Sequence, residues 1–165
     1  MRQSPPYRIV FVCTGNIFRS LTADVALRAL LEGNEAVHVS SAGTHDYPHV
    51  VRPYTQGYLY SKGYDVRSHN RRTLTQAIVD ESHLVIPMST DHQAVLRERF
   101  GRDAPLFLEA CGEAAEWLPD IEDVIPDYRT NRNAVEAHVR HTVDRIVALA
   151  PQLARNLEAL MRRYP

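Results

Sequence analysis

The chain is poor in several things that whole classes of function require. Of its 165 residues only Cys13 and Cys111 are cysteines, too few for a disulfide framework, which points to a reducing, cytoplasmic setting. No stretch approaches the roughly 20 apolar residues needed to cross a bilayer. The opening MRQSPPYR lacks the apolar segment of a secretory signal. Lys62 is the only lysine, and the formal net charge is −1, so nothing draws the chain as a whole toward nucleic acid or a membrane surface. Gly15 stands alone rather than in the glycine-rich run of a dinucleotide loop. His38, His45, His49, His83, His92, His138 and His141 follow no metal-ligand spacing, so neither a metal nor a cofactor is assigned. His138 and His141, three apart on a helix, read as surface residues. Repeats and low-complexity segments are absent.

What is present is an ordinary balance, 44% apolar and 24% charged residues, at a length that suits a single domain over residues 1–165. Residues 1–6, around Pro5-Pro6, read as a mobile leader. YRIVFVC is a buried strand, RSLTADVALRALLEG a helix and AVHVSSAG a second strand. RPYTQGYLYSKG is a helix with Pro53 in its first turn, and TLTQAIVDES is another. HLVIPMS is a third strand. STDHQAVLRERFG is a helix that opens on a capping residue and ends at Gly101. APLFLEA reads as a fourth strand. Val135, Val139, Val143, Ile146 and Leu149 put a last helix over residues 133–163, kinked or split at Pro151. The alternation predicts an α/β fold: a doubly wound, flavodoxin-like parallel sheet of four strands in the order 2-1-3-4, flanked by helices. Such sheets bind ligands beyond the C-terminal ends of their strands. Cys13 lies at that end of the first one.

The segment VFVCTGNIFRS therefore carries the chemistry. A buried cysteine at a strand end is often inert. Here, however, a curled loop and a helix start follow it, and both favour negative charge. The N–H groups of Thr14, Gly15, Asn16, Ile17, Phe18 and Arg19 can form an anion nest, with Gly15 relieving the backbone strain. The Arg19 fork suits two phosphate oxygens, and Ser20 can donate to the Cys13 sulfur. Together these residues suit attack on a phosphoryl group.

Val12, Cys13, Gly15, Asn16, Arg19 and Ser20 match the pattern Val-Cys-x-Gly-Asn-x-Cys-Arg-Ser, and here the chain resembles the low-molecular-weight protein tyrosine phosphatases. SSAGT, GYDVRSHNRRTL, LVIPMSTDH and VIPDYR resemble that family's later motifs in order, from about Arg8 to the last helix. The resemblance implies a protein-tyrosine phosphatase that works through a phosphocysteine. Cys13 would be the nucleophile, Arg19 the phosphate ligand and Asp127 the general acid, with Asn16 supported by Ser41 and His69. Tyr47 and Tyr128 fall where the family walls its pocket with aromatics. The implied partners are a phosphotyrosine protein or small aryl phosphate, with inorganic phosphate as product. No nucleic acid or membrane partner is implied, and no assembly beyond a monomer or weak dimer.

Four positions depart from the pattern. Phe18 replaces the second loop cysteine, Leu21 the proline after the serine, and Ser89 an aspartate. VIPDYR has no proline after its aspartate, which leaves Asp120 and Asp123 as alternative acids. A rival reading is a non-catalytic phosphate or phosphoprotein binder with a degraded acid loop. Arsenate reductase is a weaker rival, because its relay needs two further cysteines and only Cys111 is available. The basic RSHNRR reads as a solvated turn, or a guide for an anionic substrate. Phe18 also carries a testable consequence: oxidised Cys13 lacks the loop thiol that the family uses for reversible protection. Recovery of the thiol by dithiothreitol after peroxide is expected to be slow and incomplete, and full reactivation would count against this.

Overall fold

The computed structural model describes residues 5–165. Most of the leader expected over residues 1–6 thus lies outside the described residues, and Pro5 and Pro6 carry no regular structure. Strand β1, Tyr7–Cys13, is the centre of the fold. It pairs in parallel with β2, Val37–Gly43, on one side and with β3, Leu84–Pro87, on the other. Cys13 is level with Gly43, and Val12 with Pro87.

A central parallel strand must be apolar on both faces, and β1 is. Ile9, Phe11 and Cys13 point into one cluster with Ala23, Leu27, Phe107, Ile146 and Leu153. These come from α1 (Arg19–Leu30), α5 (Phe107–Ala110) and α7 (Arg132–Arg163). Val10 and Val12 point the other way, toward Val79 of α3 (Gln76–Glu81) and Leu96 of α4 (Thr90–Phe100). Full burial of a side chain such as Phe11 or Leu27 contributes about 1.5–3 kcal/mol. A third cluster joins Phe18 and Leu21 to Leu59 of α2 (Pro53–Ser61) and to Val139 and Val143 of α7. The phosphate-loop candidate is thereby packed from behind. The short helix α6, Ile121–Val124, lies in the segment between α5 and α7.

Local signals set the element ends. Pro53 occupies the first turn of α2, the Thr75 hydroxyl accepts from Ile78 N at the start of α3, and Gly101 closes α4 with φ of 63°. Asn131 Oδ1 accepts from Ala134 N at the start of α7.

Two expectations are corrected. The sheet has three strands in the order β2-β1-β3, and the expected fourth strand is instead the short helix α5. Leu106, Phe107 and Leu108 are all buried, and a short apolar run does not distinguish a buried strand from a buried helical turn. The carboxylate of Glu109 bonds Leu106 N at 2.8 Å and fixes the turn. Helix α7 also continues through Pro151 as one element, so it is not split there. Burial of Ile146 and Ala150 before it, and Leu153 and Leu157 after it, outweighs the lost hydrogen bond. No helix among the described residues is long and apolar enough to cross a membrane.

Candidate active site

Residues 14–18 bridge the end of β1 and the start of α1, and their backbone polarity is sorted. Four of the five carbonyls, and that of Cys13 before them, are taken by surrounding groups. Cys13 O accepts from Thr44 N at 2.8 Å and Thr14 O from His45 N at 3.1 Å. Gly15 O accepts from Arg71 Nε at 2.9 Å, Asn16 O from His69 Nε2 at 2.8 Å, and Phe18 O from the Thr22 hydroxyl at 2.8 Å. Among the described residues, no protein acceptor meets the N–H groups of Thr14, Gly15, Asn16, Ile17 and Phe18. Consecutive unpaired amides in a curled loop form an anion site.

The turn depends on a residue other than the expected glycine. Asn16, not Gly15, has a positive φ, 56°, a conformation that asparagine tolerates better than most side chains. Its side chain holds it there. Oδ1 accepts from Arg72 N at 3.1 Å and Nδ2 donates to Ser20 Oγ at 3.0 Å. Because the amide nitrogen can only donate, Ser20 accepts from it. The Ser20 hydroxyl proton is then free for Cys13 Sγ, 2.9 Å away. The glycine that the loop needs is Gly43. A Cβ there would stand 2.6 Å from the Thr14 carbonyl oxygen, so β2 ends on a residue that lets the loop lie directly on it.

Arg19 is buried, 2% exposed. Its Nη1 donates to Leu118 O at 2.8 Å and its Nη2 to Asp120 Oδ2 at 2.6 Å. Cys13, Arg19, Thr14, Gly15, Ile17 and Phe18 line one cleft. Tyr47 and Tyr128 line it too, together with Asp120 and Asp123. Asp127, the acid expected from the sequence, is not among the lining residues. It is exposed, and its carboxylate accepts from Asn131 Nδ2 at 3.1 Å. The turn of residues 125–128 directs it toward the start of α7.

Three further corrections concern supporting residues. His69 does support Asn16, through the backbone carbonyl, but Ser41 does not. The Ser41 hydroxyl donates to Asp24 Oδ2 at 2.8 Å, and Asp24 also accepts from Arg28. The RSHNRR segment is more than a solvated turn: Arg67, Ser68, Asn70 and Arg72 are exposed, but the segment is tied to the loop. Its Arg71 and Arg72 fasten the loop from outside, and Gly43 pairs with Thr73 beside them. The motif match gave a signal here, since His69 lies in the same stretch. His138 is half-buried rather than on the surface, and it bonds the Pro119 carbonyl at 3.2 Å.

His92 was found by no sequence signal. It is 3% exposed and bridges Thr14 Oγ1 and Ser89 Oγ, each at 2.9 Å. Burial, then the nearby Arg19 and His45 charges, lower its pKa to about 3. Cys111 is buried in the first cluster, and burial pushes its thiol up to about 12. It is a packing residue, and the cysteine relay of an arsenate reductase has no candidate here.

The family model described as "Low molecular weight phosphotyrosine protein phosphatase" matches residues 8–163. A protein-arginine-phosphatase of Geobacillus stearothermophilus is 35% identical over 148 residues, 86% of this chain and 97% of that protein. The low molecular weight protein-tyrosine-phosphatase Etp of Escherichia coli K12 is 32% identical over 142 residues, 83% of this chain and 87% of that one. The solution structure of a low molecular weight protein tyrosine phosphatase from Bacillus subtilis superposes with a TM-score of 0.73 at 25% identity, covering 92% of this chain and 97% of that chain.

The neutral His92 ring has a consequence for stability. The unfolded chain takes up a proton near the ordinary value of 6.5, whereas the folded one resists until about 3. The stabilisation is complete above the ordinary value and is lost as pH falls through this window, by up to about 1.4 kcal/mol per pH unit. In urea unfolding between about pH 6.5 and 4, wild type is expected to lose stability more steeply than His92→Asn. Parallel curves would show that His92 is not held neutral.

Proposed function

The chain belongs to the low molecular weight phosphotyrosine protein phosphatase family, and on that premise we propose that it hydrolyses aryl phosphate monoesters, in phosphotyrosine proteins or small molecules. The reading rests on one observation: the unpaired amides of the loop, Arg19 and the Ser20-bonded sulfur of Cys13 meet in one cleft.

In the first step Cys13 Sγ attacks phosphorus and the S–P bond forms as the P–O bond to the leaving group breaks. Asp123 gives a proton to the departing oxygen. Asp123 then takes a proton from water as that water attacks phosphorus. The S–P bond breaks, the thiolate returns and inorganic phosphate leaves. The loop amides and Arg19 hold the non-bridging oxygens throughout, which is most of what phosphoryl transfer requires. The Ser20 hydroxyl supports the sulfur anion at the beginning and end of the cycle.

Asp123 is chosen over Asp127 because it lines the cleft, and over Asp120 because Asp120 is committed to Arg19. Its presence also favours an enzyme over a non-catalytic binder. Ile17, Phe18, Tyr47 and Tyr128 favour an aryl group beyond the phosphate, with about 0.5–1.5 kcal/mol for each aromatic contact. The cleft carboxylates Asp91, Glu122 and Asp123 favour a second reading, a phosphoarginine side chain. Two free thiols fit a reducing compartment such as the cytoplasm.

The test is kcat/KM on phosphotyrosine, phosphoarginine and phosphoserine peptides. Phosphotyrosine is expected to lead, with no turnover by Cys13→Ser. Faster hydrolysis of phosphoarginine would overturn the aryl assignment. Asp123→Asn is expected to lower kcat by about 10²–10⁴-fold, while Asp127→Asn stays near wild type. The reverse pattern would return the acid role to Asp127.

A further inference from the structure

We propose that Asp120 is a positioning residue that joins the phosphate-gripping arginine to the acid-bearing turn, so that anion binding and acid placement are one event. This rests on the phosphatase reading above and assigns a role to a residue outside the reacting set.

A buried guanidinium must be paired. Among the described residues the one carboxylate that pairs with Arg19 is Asp120, at 2.6 Å. Ser89, where the family pattern has an aspartate, bonds His92 instead. The Asp120 carboxylate is shared. Oδ2 faces Arg19 while Oδ1 accepts from Ile121 N at 2.8 Å. The Asp120 backbone N–H donates to Asp123 Oδ2 at 2.6 Å. Arg19, Asp120 and Asp123 thus form one continuous chain of hydrogen bonds.

The two residues before Asp120 are tied to the same place. Leu118 N donates to Met88 O at the end of β3, Leu118 O accepts from Arg19, and Pro119 O accepts from His138. The arginine therefore holds this segment at two points, Leu118 and Asp120.

The ion pair leaves the arginine free to work. A guanidinium has five N–H donors. The bonds to Leu118 and Asp120 occupy two of them, leaving Nε and one hydrogen on each terminal nitrogen for phosphate oxygens. Asp120 can thus orient the guanidinium plane while the anion is bound, rather than give way to it.

Asp120→Ala and Asp120→Asn are compared with wild type in two measurements. The first is titration calorimetry with inorganic phosphate, which needs no turnover. Asp120→Ala is expected to weaken binding by about tenfold or more. Asp120→Asn, which keeps an acceptor oxygen toward Arg19, is expected to lose less. The second is kcat on phenyl phosphate against p-nitrophenyl phosphate. Phenolate is the poorer leaving group and depends more on the acid, so Asp120→Ala should lose about fivefold more on phenyl phosphate. A purely structural role would lower both esters alike. Phosphate binding that is unchanged or tighter in Asp120→Ala overturns the proposal, and tighter binding would make Asp120 a competitor of the anion. Equal losses on the two esters overturn the coupling to the acid. Should Asp120→Ala fail to fold, Asp120→Asn is held to the same two criteria. A wild type that binds phosphate but hydrolyses neither ester refutes the phosphatase reading, and the calorimetric comparison still decides the role of Asp120 toward the anion.

Discussion

The backbone of the loop after β1 is sorted so that the carbonyls of Cys13, Thr14, Gly15, Asn16 and Phe18 are bonded while the amides of residues 14–18 are not. Each carbonyl with an outside donor fixes one peptide plane, and a fixed plane fixes where the next N–H goes. The donors come from well-separated parts of the chain: Thr44 and His45 past β2, His69 and Arg71 before α3, and Thr22 within α1. A cluster of free N–H groups is costly unless something negative occupies it. The surrounding structure holds that arrangement in readiness. It also explains why Asn16 takes a left-handed backbone and why β2 ends in a glycine.

The second organising feature is the buried cation. Arg19 sits at the N-terminus of α1, against the floor of the cleft, where an unpaired charge would be expensive. Its two visible partners, Leu118 and Asp120, lie about a hundred residues away in sequence. A single guanidinium thus fastens the segment before α6 to the loop after β1. His92 meets the opposite demand. A positive ring beside Arg19 would repel it, and burial keeps the ring neutral while it ties Thr14 to Ser89.

Most of the elements were legible. The strands and long helices follow from apolar periodicity, and the start at Pro53 and the stop at Gly101 from backbone chemistry. The fourth strand failed because Leu106, Phe107 and Leu108 are equally apolar as strand or helix, and only the neighbours decide. At the site, the sulfur, the arginine and the serine are readable because they are local, within one turn of one another. That Ser41 faces Asp24 and Asp127 faces Asn131 was not readable, because each depends on which way a side chain turns once the segments meet. Arg71, Arg72 and His92 look like ordinary surface residues until the segment before α3 closes over β2 and α4 starts beneath the loop.

The sequence by itself determined the alternation of strands and helices and the seating of Cys13 at the C-terminal end of a buried strand. It also determined the spacing that lets Ser20 and Arg19 return to that cysteine, because these depend on periodicity and on chain geometry over a few residues. Only the tertiary structure decided the counter-ion of the arginine, the carboxylates that face the cleft and the groups that hold the loop. Those choices join residues tens to a hundred positions apart. Hydrogen-bond direction and the cost of a buried charge act on them only after packing has brought the partners within reach.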